Sequence, residues 1–214
     1  MEGINKGLQG YIEGDILPLY QHFDQAHGPG HVRQVIGNSL ALLPVARELY
    51  GEVDADMVYT VAAYHDTGLQ YGRENHGVAS GRYLLADQNL RQWFTPGQLE
   101  TMRDAVEDHR ASARGEPRSV YGRIVSEADR DLDPVRIVRR TMEYGAALHP
   151  ALTPRQQVRR AVDHIREKYG EGGYMRCYLP CPKNEEGLAT LREWLGTGEI
   201  WAACEKYAPM GALL

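Results

Sequence analysis

The sequence is poor in several things, and each shortage narrows the reading. Phenylalanine occurs 2 times and cysteine 3 times in 214 residues. The cysteines, Cys177, Cys181 and Cys204, are odd in number and contain no CxxC pair. That argues against a disulfide framework and against a zinc–thiolate site. No apolar run approaches the roughly 18 residues of a membrane span. The longest candidate, Met57 to Tyr64, is interrupted by Thr60. The opening MEGINKGLQG lacks the basic start and apolar stretch of a secretory signal. Basic residues are outnumbered, 24 against 29 acidic, for a net charge of −5. The dominant cationic face of a sequence-independent nucleic-acid binder is therefore not expected. There is no internal repeat, no low-complexity tract, and no glycine-rich phosphate loop after a strand. What remains is a cytoplasmic globular chain with no nucleic-acid polymer or membrane as partner. Its hydrophobic content of 43% is ordinary for a folded domain.

Most of the chain has helical periodicity. Val32, Val35, Ile36, Leu40 and Leu43 share one face of a helix over 31–43, which Pro44 breaks or restarts. Asp54 caps a helix through Met57, Val58, Val61, Ala62 and His65, and Gly68 ends it. A further helix is expected over 75–87. Thr95-Pro96 starts one carrying Leu99, Met102, Val106 and His109. Residues 112–118 form a loop, and 119–132 form the next helix. Thr153-Pro154 opens a helix ended by Gly170, and Asn184 caps a last pair. Only 173–182, bracketed by Gly and Pro, looks extended. An all-α bundle follows, because no βαβ alternation is present. His149-Pro150 suggests a division into an N-terminal domain over 1–150 and a helical extension over 151–214 packed on it.

The histidines carry the functional signal. His31 opens one helix, His65 closes the next with Asp66 directly after it, and His76 starts a third. His109 lies three residues after Val106, and Asp129 four after Val125. Residues at those spacings share a helix face, so His65, His109 and Asp129 point with the apolar stripes into the bundle. A single buried histidine or aspartate usually has an ordinary hydrogen-bonding partner. Five such positions on five successive helices favour a metal site, which bundles build from facing helices. Nitrogen and carboxylate donors without thiolate suit Mn, Fe, Co, Ni, Zn or Mg.

The ordered set His31, then His65-Asp66 in VAAYHDTG, then Asp129 in SEADR, resembles the HD-domain metal-dependent phosphohydrolase superfamily. The lead-in HGPGHVRQV is similar too, and the likeness spans about residues 20–135. The resemblance implies an HD-type helical bundle in which His31, His65, Asp66 and Asp129 ligate a divalent metal. It also matches His76 and His109 to the extra histidines of dinuclear members, with Asp66 bridging. The six candidates cannot all crowd one ion and leave room for water. Either two metals share them, or His76 and His109 contact the substrate phosphate. We favour one metal with the two histidines beside it. The GYP signature of cyclic-dinucleotide phosphodiesterases and the acidic pair of alarmone hydrolases are both missing.

A bound metal would activate a water and polarise a phosphoryl oxygen. The expected activity is hydrolysis of a phosphate ester of a small molecule or nucleotide. Asp66, His109 and Arg110 are the catalytic candidates, and His76, Arg130 and Arg33 the substrate-binding ones. Arginine suits bidentate phosphate contact. Asp24 and His27, seven and four residues before His31, either orient it or serve as a cap and a turn residue, the reading favoured for Asp24. Glu107 and Asp108 read as surface charges. Segment 171–181 reads as a connector, with a pocket lid as the alternative. Two other functions stay open: a di-iron oxygenase of the same superfamily acting on a small polar substrate, and a non-catalytic metal-binding module. Oligomeric state is open.

Overall fold

A computed structural model describes residues 3–24, 26–110 and 115–208. Among them the fold is all-α, with eleven α-helices, short 3₁₀ and π turns, and no strand. None of the helices is long and apolar enough to cross a membrane. Of the expected loop, 112–114 lie outside the described residues, and 115–118 are not helical.

The chain divides into two compact units, Met1–Arg130 and Asp131–Leu214. The first begins with α1 (Lys6–Tyr11), which runs into a π turn (Ile12–Ile16) and a 3₁₀ turn (Leu17–His22). Then come α2 (Pro29–Ala41), α3 (Leu43–Tyr50), α4 (Ala55–Tyr64), a 3₁₀ turn (Thr67–Tyr71), α5 (His76–Ala86), α6 (Pro96–Glu107) and α7 (Val120–Ala128). Local signals set several of these bounds. Pro44 separates α3 from α2. The Asp54 carboxylate accepts from the amides of Asp56 and Met57 at the start of α4. Thr95 and Gln98 form a reciprocal capping box ahead of α6, with Pro96 in its first turn.

Helix α4 is the centre of this unit. Every one of its residues except Asp56 is buried, and it packs on α2, α6 and α7. It stops at Tyr64, earlier than Gly68 suggests, so His65 and Asp66 lie on the turn that follows. Gly68 has a different task inside the 3₁₀ turn. A Cβ there would stand 2.2 Å from the His76 carbonyl oxygen and 2.5 Å from the Ser80 nitrogen. The absence of a side chain lets the turn lie against α5. Gly81 does the same on the other side of α5, where a Cβ would meet the Arg103 carbonyl of α6 at 3.0 Å.

The second unit holds α8 (Pro134–Leu148), α9 (Pro154–Tyr169), α10 (Pro182–Thr197) and α11 (Glu199–Glu205). The boundary falls before α8, ahead of the one suggested by His149-Pro150. The physical reason is that α8 packs on α9, α10 and α11. Its Ile137, Val138 and Met142 are buried. The segment 173–182 forms no strand.

Candidate metal centre

The five helix ends that meet at the centre of the first unit supply its donors. His31 lies in the first turn of α2. His65 and Asp66 follow α4, His76 is the first residue of α5, and His109 follows α6. Asn75, just before His76, has φ of 56°, a left-handed conformation that asparagine tolerates better than most residues. It sets the entry into α5. Asp129 follows α7, whose end is tied to α2 by the Asn38 amide donating to the Ala128 carbonyl at 3.0 Å. That bond brings Asp129 to His31.

Asp66 is nearly fully buried, and its two oxygens divide the histidines between them. Oδ2 lies 3.2 Å from His65 Nε2 and 3.5 Å from His31 Nε2. Oδ1 lies 3.2 Å from His76 Nε2 and 3.5 Å from His109 Nε2. Within each pair the imidazoles face each other, with Nε2 atoms 3.1 Å apart for His31 and His65 and 3.3 Å apart for His76 and His109. Asp129 Oδ1 stands 3.2 Å from His31 Nε2.

The hydrogen bonds on the far side of the rings show what these contacts are. His65 Nδ1 is 2.7 Å from the Ala62 carbonyl, His76 Nδ1 is 3.0 Å from that of Arg73, and His109 Nδ1 is 2.6 Å from that of Val106. A carbonyl only accepts, so each Nδ1 carries a proton and donates. In the neutral ring Nε2 is then a bare lone pair. Those of His76 and His109 face each other and a carboxylate oxygen. Cations relieve such an arrangement. A metal about 2.1 Å from each donor places neighbouring donors roughly 3.0–3.4 Å apart, which is close to the spacing found. The donors form two sets, His31–His65–Asp66 and Asp66–His76–His109, each able to hold a metal ion. Asp66 belongs to both sets.

Electrostatics match the geometry. Burial alone would raise the Asp66 carboxyl, but the facing imidazoles hold it far below the usual carboxylate range. Burial works against protonated His31, yet Asp129 and Asp66 push its pKa up to about 9. His65 moves in the same direction against its burial, chiefly through the charge of Asp66. Burial opposes ionisation of Asp129 too, but His31 keeps it lowered.

The arginines are less concentrated. Arg33 on α2 and Arg110 after His109 are exposed. Arg130 is buried, its Nη1 2.8 Å from Glu127 Oε2 in a pair of nearly inaccessible side chains. Glu107 and Asp108 both bind Arg118, at 2.8 and 2.9 Å. The Arg118 amide also donates to Asp108 at 2.7 Å, which fastens the chain on either side of His109.

Two neighbours of the ligands were not legible. Arg73 donates to the Asp24 carboxylate, which also takes the His27 ring at 2.9 Å. Tyr20 binds the backbone of Asp66. Neither shows any sequence spacing that separates it from a surface or core residue.

Neither a curated protein nor a solved structure gives a match to this chain. A family model described as HD domain matches residues 31–132, the stretch that runs from the first histidine of the centre to just beyond Asp129. That segment carries all the donors just described, so the likeness to HD domains and the candidate centre fall on the same residues.

Proposed function

We propose that the protein is a metal-dependent phosphohydrolase that cleaves a phosphate ester of a small molecule, nucleotides included, at a pair of divalent ions. The observation supporting this most directly is the division of the Asp66 oxygens between two histidine pairs. His31, His65 and Asp129 would hold one ion with Oδ2, and His76 and His109 the other with Oδ1. When bound, the ions supply a water of lowered pKa as nucleophile and positive charge for the phosphoryl oxygens.

The remaining work falls to the chain. The Nδ1–carbonyl bonds of His65, His76 and His109 fix tautomer and ring orientation, so the Nε2 lone pairs stay aimed at the centre. Burial of His65, Asp66 and His109 keeps water from the back of the site. The side chains of His31 and Asp129, 21% and 27% exposed, form the open side by which substrate arrives. Glu127 engages Arg130, so direct contact with the phosphate falls to the exposed Arg33 and Arg110, which can take it bidentately.

Release of phosphate from a panel of nucleotides and simple phosphate esters, with and without Mn(II), Co(II) or Zn(II), tests the reading. His109→Ala is expected to lower the turnover by more than about 100-fold, beyond what loss of an outer-sphere partner does. Near-normal turnover in that variant contradicts the assignment. The same shared carboxylate with two histidines on each side also suits two irons, so an oxygenase acting on a small polar molecule is the second reading. Two irons per chain, oxygen uptake and no phosphate release would favour it.

A further inference from the structure

All the donors of the centre lie at or after His31, yet the shared aspartate is gripped by a side chain that precedes them and lies outside the matched segment. Tyr20, in the 3₁₀ turn Leu17–His22, is fully buried. Its hydroxyl donates to the Ala63 carbonyl at 2.9 Å and accepts from the Asp66 amide at 3.2 Å. One hydroxyl thus spans the last turn of α4 and the residue whose carboxylate serves both donor sets. Helix ends leave carbonyls without a partner one turn on, and this is where the backbone bends to aim Asp66 across the centre. The Tyr20 ring also lies beside that of His65, with centroids 6.2 Å apart.

We propose that Tyr20 is a positioning residue of the metal centre, acting through the backbone of Asp66 to hold the carboxylate where both donor sets can use it. This rests on the metal-centre reading above. The hydroxyl has no route to the metals of its own, since both its bonds go to the backbone. Its effect is on where Asp66 points. Tyr11, the last residue of α1, serves for comparison. Tyr11 donates to Asp87 at 2.6 Å, and neither residue contributes a donor.

The test is titration of the metal-free full chain with Mn(II), comparing wild type, Tyr20→Phe and Tyr11→Phe. Tyr20→Phe keeps the ring and removes both bonds. It is expected to weaken Mn(II) binding about 10- to 100-fold, the usual cost of losing a group that orients a ligand. Tyr11→Phe is expected to bind as the wild type does. Wild-type affinity in Tyr20→Phe overturns the proposal, as does an equal loss in Tyr11→Phe, which would mean general loosening. If Tyr20→Phe does not fold, amide exchange of the metal-free wild type decides. Slow exchange at the Asp66 amide supports the bond. Exchange at the rate of an exposed amide, with α4 protected, overturns it. A wild-type chain that binds Mn(II) normally beside an unaffected Tyr20→Phe sinks this inference alone. A wild-type chain that takes up no Mn(II), Fe(II) or Zn(II) sinks the metal-centre reading, and this inference with it.

Discussion

His31 is the most exposed of the four facing imidazoles, and a metal bound there must displace its proton. Its pKa in the metal-free chain, about 9, lies above the ordinary 6.5. The stabilisation linked to it is therefore fully present below pH 6.5 and is lost as the pH rises through about 9. Asp66 and Asp129 behave oppositely. Their carboxyls are lowered from 3.8, so their contribution is present above that value and fades in acid. For this cluster the metal-free chain is expected to be most stable between about pH 4 and 6.5, as read by the urea midpoint. Metal affinity should run the other way and rise from pH 6.5 toward 9, with proton release on binding. A metal affinity flat across that range would show that His31 is not a ligand. The donors themselves were legible because imidazoles and carboxylates falling in step with the apolar stripes are rarely accidental. Tyr20 was not, since its partners Ala63 and Asp66 are far along the chain and a buried tyrosine looks like any other core residue.

At the scale of elements, close packing around α5 joins the two donor sets. His76 enters the centre only because the 3₁₀ turn Thr67–Tyr71 lies against α5, and that approach needs Gly68. Gly68→Ala is expected to destabilise the chain by roughly 1–3 kcal/mol, the range for overpacking, or more. It should also weaken metal binding at the His76–His109 set more than at the other. Gly37, in the middle of α2, has nothing within 4 Å of an added Cβ. Gly37→Ala should instead stabilise by about 0.5–1 kcal/mol. Chemical denaturation of both variants checks the opposed signs, and a tolerated Gly68→Ala would contradict the packing argument. Helices with cap signals, α4, α6 and α9 among them, were legible. Helix α8 is hard to see in the sequence although Asp133 caps it and Pro134 opens it. Its dense charges, Arg136, Arg139, Arg140 and Glu143, obscure the stripe of Ile137, Val138 and Met142. The turns of 12–22 leave little trace in the sequence because π and 3₁₀ backbones blur the helical period.

For the whole molecule, composition and periodicity gave the all-α class, and the spacing of histidines and aspartates located the centre. The division between units was harder to see. His149-Pro150 is a strong local break, but a break in the backbone marks a unit boundary only when the helices on either side pack elsewhere. Here α8 and α9 pack together across it. Which oxygen of Asp66 meets which imidazole was also beyond the sequence, since spacing only places residues on faces. Elemental analysis of the purified, untagged full chain, as isolated and after incubation with Mn(II), Fe(II), Co(II) or Zn(II), tests the central claim most directly. The account predicts two equivalents of a divalent transition metal per chain, falling in Asp66→Ala. A chain that retains no metal under any of these conditions would contradict it.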